Sequence, residues 1–211
     1  MRTKAETLSI LLDTKLIAVI RVSHADTILP ICTALMEGGI RALEITLTVP
    51  HALEAIRHAR ERLPASAVIG AGSVVDAGMC RGALDAGAEF IVSPILRPEI
   101  AVAARAADKP VMLGAYTPTE AQLALEAGSD FVKIFPADKL GPAYIKALLA
   151  PLPHLRLVPT GGVDLETAPE FLKAGCVALG VGSSLLKPEL IKIADWKGLT
   201  RLAQAYVQTV K

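Results

Sequence analysis

Aromatic residues are scarce in this chain. Phe, Trp and Tyr together make up 4% of 211 residues while hydrophobic residues make up 52%, so any core must be aliphatic. Cysteines number only three, Cys32, Cys80 and Cys176, far apart on apolar segments and without metal-ligand spacing. That excludes a disulfide framework and reads as buried free thiols in a reducing compartment. Charge of one sign is lacking too, with 22 basic residues against 21 acidic ones. Without a basic block, or basic residues interleaved with aromatics, nothing offers nucleic acid a surface. No apolar run approaches the ~18 residues of a membrane-spanning helix. The segment Met1-Arg2-Thr3-Lys4-Ala5-Glu6 leads into an amphipathic stretch with acids, not the apolar core of a signal peptide. The expectation is a soluble cytoplasmic protein. No linker, low-complexity tract or charge run divides the chain, so a single domain over 1–211 with a short N-terminal helix is expected.

What is present is a repeated phrase. Glu37-Gly38-Gly39, Asp85-Ala86-Gly87, Glu126-Ala127-Gly128 and Lys173-Ala174-Gly175 each precede an apolar run. Each reads as a helix end closed by glycine, where a left-handed cap needs no Cβ, with a strand two or three residues on. Helical periodicity fills 50–63, 76–86, 98–107 and 118–127, and several of these stretches open with Pro or an acid, as first turns prefer. Strands are expected at 16–22, 41–46, 67–70, 90–93, 110–113, 131–135, 156–159 and 177–181. Strict alternation of strand and helix demands a parallel sheet with right-handed crossovers. Eight such units in 211 residues predict an α/β fold, a single (β/α)8 TIM barrel. The rival is a doubly wound open sheet, but Ile20-Arg21-Val22-Ser23-His24 follows the first strand where a dinucleotide site would have its glycine-rich turn.

Charged residues on apolar strands are the chemical signal. In Phe131-Val132-Lys133-Ile134-Phe135-Pro136, alternation puts Phe131, Lys133 and Phe135 on one face. Burying an ammonium is costly and favours the neutral amine, a nucleophile towards carbonyl carbon that forms Schiff bases. The plainer reading is a lysine snorkelling from a strand end. Arg21 and Glu44 change the balance, because they fall on the inward faces of strands one and two near their carboxyl ends, where barrels keep their chemistry. A buried ion network that only fixes packing is the structural alternative, and desolvation makes such networks poor struts.

A second cluster follows the last two strands. Pro159-Thr160-Gly161-Gly162-Val163-Asp164 and Gly180-Val181-Gly182-Ser183-Ser184 each read as a strand end opening a helix. Glycines let backbone N–H groups approach an anion, and these two loops are a frequent phosphate site in barrels. Gly161, Gly162, Gly182 and Ser183 are therefore the phosphate-binding candidates. Ser73 after strand three, Pro94 after strand four and Thr160 are further candidates for substrate contact. His24, His51, His58 and His154 lack ligand spacing, and Glu44 is the sole strand-end carboxylate suited to a metal, so no metal and no cofactor are expected.

Ile17-Ala18-Val19-Ile20-Arg21, Leu43-Glu44-Ile45-Thr46, Gly70-Ala71-Gly72-Ser73 and Phe131-Val132-Lys133-Ile134-Phe135-Pro136 resemble segments of the KDPG/KHG aldolases. Val158-Pro159-Thr160-Gly161-Gly162 and Val181-Gly182-Ser183-Ser184 match as well, so the resemblance covers nearly the whole chain. It implies a class I aldolase acting on 2-keto-3-deoxy-6-phosphogluconate and 4-hydroxy-2-oxoglutarate, trimeric and needing no metal. By that resemblance Lys133 is the Schiff-base lysine, Glu44 the general acid/base, and Arg21 and Ser73 hold the pyruvyl carboxylate. Gly161, Gly162, Gly182 and Ser183 become phosphate-binding turns. Three positions depart from some members. Thr48 stands where one branch has arginine, Ser73 where threonine is usual, and Leu113-Gly114-Ala115 where Pro-Gly is common. Phosphogalactonate aldolases share the Arg21 arrangement, so the sugar epimer stays open. A phosphosugar isomerase using Glu44 as a base without covalent chemistry, and a non-catalytic barrel that senses a sugar phosphate or 2-keto acid, are the readings from other classes.

Overall fold

Eight strands alternate with helices in the computed structural model, which describes residues 2–211. The strands are β1 (Leu16–Ile20), β2 (Ala42–Thr46), β3 (Val68–Gly72), β4 (Phe90–Val92), β5 (Val111–Ala115), β6 (Phe131–Ile134), β7 (Leu157–Pro159) and β8 (Leu179–Val181). Helix α1 (Lys4–Thr14) precedes them. The crossovers carry α2 (Ile28–Glu37), α3 (Ala52–Arg62), α4 (Ala77–Asp85), α5 (Pro98–Ala106), α6 (Pro118–Glu126), α7 (Gly141–Leu149) and α8 (Thr167–Lys173), and α9 (Pro188–Lys192) and α10 (Trp196–Thr209) follow β8. Local chemistry sets these boundaries. Thr3 with Glu6 and Thr117 with Glu120 form capping boxes, Asp76 accepts from the Met79 N–H, and proline opens α5 and α6. Four crossovers end as the repeated phrase predicts, with Gly39, Gly87, Gly128 and Gly175 at φ of 96°, 101°, 94° and 108°.

Every strand pair is parallel, in the order β7-β6-β5-β4-β3-β2-β1-β8. A parallel bridge between Thr160 and Gly180, with Val177 N–H donating to the Leu157 carbonyl at 3.1 Å, brings β7 to β8 and closes the sheet into a (β/α)8 barrel. The open doubly wound sheet is thereby excluded. Two strands run further than glycine content suggested. β3 continues through Gly72 and β5 through Gly114 to Ala115. Glycine weakens an isolated strand, but here the missing side chains leave room inside the barrel. A Cβ at Gly70 would collide with the Phe90 ring, and one at Gly114 with the Pro94 backbone. Conversely, β1 stops at Ile20, two residues short of the expected end, which places Arg21 on the loop that follows.

The aliphatic core has two shells. Outward strand residues pack on the helices, whereas Ile17, Ala42, Val68, Phe90, Met112, Phe131, Val158 and Ala178 fill the barrel lumen. Leu11 of α1 joins this lumen cluster and closes its amino-terminal end. Glu89, just before β4, is fully buried at that end and is held by Arg2 and Arg60, each at 2.8 Å. Charges buried there act as struts, since barrel chemistry belongs at the opposite rim. All three cysteines are buried free thiols, and burial pushes Cys32 and Cys176 up to about 12 and Cys80 to about 11. No described helix is long and apolar enough to cross a membrane.

Candidate active site

One layer above the lumen cluster, the inward positions become polar. Register aligns Val19 of β1 with Glu44 of β2 and Gly70 of β3, and aligns Gly114 of β5 with Lys133 of β6 and Val158 of β7. Glu44 and Lys133 are 2% and 4% exposed, so two ionisable groups sit where their neighbours are aliphatic. Glu44 Oε1 is the one buried side-chain polar atom without a hydrogen-bond partner among the described residues. A Cβ at Gly72 would overlap that oxygen, so the inward glycine supplies the space that the carboxyl occupies. Burial raises the Glu44 pKa above the ordinary carboxylate value, and the positive charges of Lys133 and Arg21 pull it part of the way back. An unpartnered, hard-to-ionise carboxyl is poorly suited to a strut and well suited to moving a proton.

Lys133 Nζ lies over the Phe135 ring, 4.9 Å from its centroid. The amine has no ion pair within 4.0 Å and no hydrogen bond among the described residues, so its lone pair, once deprotonated, has nothing to compete with a substrate carbonyl. Arg21 is exposed on the loop after β1, and its Nη2 stands 3.5 Å from Ser73 Oγ. Ser73 itself has φ of 58°, a left-handed conformation costing on the order of 1 kcal/mol for a residue with a Cβ. That turn aims the serine hydroxyl at the guanidinium.

Above Phe135 opens a cleft of about 310 Å³. It gathers Arg21, Thr160, Gly161, Gly162, Gly182 and Ser183, six of the residues singled out from sequence, with Val19, Val163, Leu186 and Pro188 as apolar walls. Glu44 and Lys133 are not among its walls but adjoin two of them, Glu44 paired in register with Val19 and Lys133 beside Phe135, and Ser73 reaches it through Arg21. Pro94 is not among the walls. It lies half-buried with its backbone against Gly114, one loop away. Thr160 is 7% exposed and fills the space that glycine leaves at position 180.

The two glycine turns carry unused donors. Gly161 and Gly162 have φ of 91° and 72°, conformations that glycine alone adopts freely. The backbone N–H groups of Gly162, Val163 and Ser183 have no acceptor among the described residues, and all three residues line the cleft. Neither turn opens directly into a helix, contrary to expectation. After β7, Asp164 Oδ1 accepts from Thr167 N at 2.8 Å and from Glu166 N at 3.0 Å, so α8 starts only at Thr167. Hydrogen bonds from those amides hold the Asp164 carboxyl below its usual pKa, the Thr167 backbone contributing most. After β8, the Leu185 and Leu186 amides both donate to the Gly182 carbonyl, and α9 begins at Pro188. Each turn is thus braced from behind while the residues that carry its free amides line the cleft, an arrangement suited to an anion.

Sequence reasoning missed Gly72 and the apolar walls. The signal for Gly72 was present in the Gly-Ala-Gly end of β3, but only the packing of β3 against β2, where the Glu44 carboxyl lies over Gly72, ties the two together. Among the described residues no three His, Cys, Asp or Glu side chains converge as a metal site would.

Comparison with known proteins points the same way. A family model described as KDPG and KHG aldolase matches residues 8–202. The 2-dehydro-3-deoxy-phosphogluconate aldolase of Pseudomonas aeruginosa is 36% identical over 193 residues, covering 91% of this chain and 87% of the relative. A protein named probable 2-dehydro-3-deoxy-6-phosphogalactonate aldolase from Rhizobium meliloti is 35% identical over 178 residues, 84% of each chain. Among solved structures, KDPG aldolase from Legionella pneumophila, with pyruvate captured as a covalent carbinolamine, superposes with a TM-score of 0.86. It is 30% identical, over 94% of this chain and 97% of that one.

Proposed function

The chain belongs to the KDPG and KHG aldolases, carbon–carbon lyases of class I, and from that premise we propose that Lys133 and Glu44 carry its chemistry. It cleaves 2-dehydro-3-deoxy-6-phosphogluconate to pyruvate and glyceraldehyde 3-phosphate, with 4-hydroxy-2-oxoglutarate, giving pyruvate and glyoxylate, as a second substrate. The observation that carries this reading is the buried pair itself, an amine free of partners and a carboxyl with one oxygen unpaired, beside a cleft with three free amides.

The Lys133 amine attacks the C2 carbonyl of the 2-keto acid, forming a C–N bond. Loss of water, with Glu44 moving the protons, leaves a protonated imine. Glu44 then takes the proton of the C4 hydroxyl while the C3–C4 bond breaks and its electron pair flows into the iminium, giving an enamine and the free aldehyde. Protonation at C3 and hydrolysis release pyruvate. Arg21, with Ser73 beside it, grips the C1 carboxylate. The glycine turns with Ser183 hold the distal phosphate. Ser183→Ala is expected to lower kcat/KM for the phosphorylated substrate roughly ten- to hundred-fold, the loss of about one charge-assisted hydrogen bond. Cleavage of hydroxyoxoglutarate, which has no phosphate, should fall far less. Equal losses on both would remove Ser183 from the anion site.

The similarity to a phosphogalactonate enzyme supports a second reading, in which the C4 epimer is preferred. Steady-state kinetics on the gluconate and galactonate compounds decide between them, and a higher kcat/KM for the galactonate epimer would overturn the first.

The working unit is a homotrimer. Val75, Ile95, Val102, Tyr116 and Leu123 are large apolar residues 39–54% exposed on the consecutive loops and helices of β3 to α6, a face that supports burial against another copy. Sedimentation equilibrium should give the mass of three chains, and a single-chain mass would contradict this. Three buried free thiols suit the reducing cytoplasm as its place of work, and fractionation recovering the enzyme elsewhere would contradict that assignment.

A further inference from the structure

Two adjacent serines at the cleft do different work. Ser183 is exposed, and its hydroxyl has no protein partner among the described residues. Ser184 is half-buried, and its hydroxyl donates to the Val163 carbonyl across the cleft. The Thr160–Gly180 backbone bridge joins the two turns at their base, and the Ser184 bond is the side-chain hydrogen bond between them among the described residues. A serine hydroxyl has one proton, so a further partner must donate to it. Tyr206 on α10 is the neighbour available for that role: it is 1% exposed, with its phenol close to the Ser184 hydroxyl and the Asp164 carboxylate.

We propose that Ser184, backed by Tyr206, is a positioning clamp that sets the spacing of the two turns and thereby their grip on the substrate's phosphate. The proposal rests on the aldolase reading, and it assigns a role to α10, the helix after β8 that packs against α2 and completes the (β/α)8 ring. Each turn is braced separately from behind, by Asp164 and Thr167 on one side and the Gly182 carbonyl on the other. Those braces fix the shape of each turn and the Thr160–Gly180 bridge joins their bases, but neither holds the distance between the parts beyond that bridge. Ser184 supplies that constraint, because moving either turn breaks its bond to Val163. The helix behind it is a firm support. Asp195 caps α10 through the Gly198 amide at 2.8 Å, and Thr200 ties it to the Ala34 carbonyl of α2 at 3.1 Å. Burial pushes the Tyr206 phenol up and the Asp164 charge adds to this, while the Ser184 hydroxyl pulls it part of the way back.

The test compares KM for the phosphorylated and the non-phosphorylated substrate in Ser184→Ala, Tyr206→Phe and Ser184→Thr. Loss of one neutral hydrogen bond predicts a KM for the phosphorylated substrate about three- to tenfold higher in Ser184→Ala. The KM for hydroxyoxoglutarate should move by less than about twofold, because a single missing bond at the phosphate turns is not felt by a substrate without phosphate. Tyr206→Phe should shift in the same direction, and Ser184→Thr, which keeps a hydroxyl, should restore most of the difference. Tyr206→Phe removes one oxygen and carries the same test if Ser184→Ala does not fold. Equal shifts for both substrates, or no shift in either variant, would overturn the clamp. Borohydride trapping of pyruvate by the same wild-type preparation separates the two claims. Trapping without a KM split sinks the clamp alone, and absence of trapping sinks the aldolase reading beneath it.

Discussion

Lys133→Met is expected to leave a folded barrel with no measurable aldol cleavage. The loss should exceed the 10²–10⁴-fold typical of removing a general acid or base, because the covalent route itself disappears. Methionine matches the reach of the lysine stem while removing an ammonium from a site 4% exposed, so the melting temperature should not fall. Pyruvate release, followed by coupled reduction to lactate, together with a thermal melt, checks both halves. A variant that kept more than about one hundredth of wild-type turnover would lie within the range of mere acid–base loss and point to the isomerase-like use of Glu44 without covalent chemistry.

The second large effect is that of Glu44→Gln, expected to lower kcat by about 10²–10⁴-fold. Its stability should move the other way. Burial raises the folded-state pKa of Glu44 above its unfolded value, so the folded chain holds that proton more tightly than the unfolded chain does. The stability this gives is fully present below the unfolded pKa and is lost as pH rises through the folded one. The wild type therefore loses it progressively as pH rises above the ordinary carboxylate range, and an amide that never ionises escapes the penalty. Melts at pH 7 should show Glu44→Gln at least as stable as wild type. The same raised pKa sets the acid limb of the kcat/KM profile, since bond cleavage needs the ionised carboxylate as base. That limb should lie above the ordinary carboxyl range and vanish in the variant. A large loss of stability in Glu44→Gln would recast the residue as a strut.

Much of this site was legible because strand alternation is a rigid rule. Once residues 131–135 were read as a strand, Lys133 had to face with Phe131, and Phe131 lies in the lumen cluster. Glu44 followed from the same parity on β2. Glycine was read less well, since it serves two purposes that look alike in sequence. Gly39 and Gly128 end helices, as expected, whereas Gly72 and Gly114 stay inside strands because something opposite needs their volume. Which neighbour needs it depends on register between strands, and a single strand's pattern does not carry register. Long-range pairings were likewise beyond reach. Nothing in the sequence joins Glu89 to Arg2 and Arg60, residues 87 and 29 positions away, or Ser184 to Val163, 21 positions away. The late start of the helices after β7 and β8 has a local cause, the capture of amides by Asp164 and by the Gly182 carbonyl.

The most direct measurement is borohydride reduction of the wild-type protein in the presence of pyruvate, followed by peptide mass mapping. The account predicts one reduced pyruvyl group per chain, on the peptide containing Lys133 and on that residue, and none on the Lys133→Met protein. An unmodified Lys133, or a pyruvyl group carried by another lysine, would contradict it.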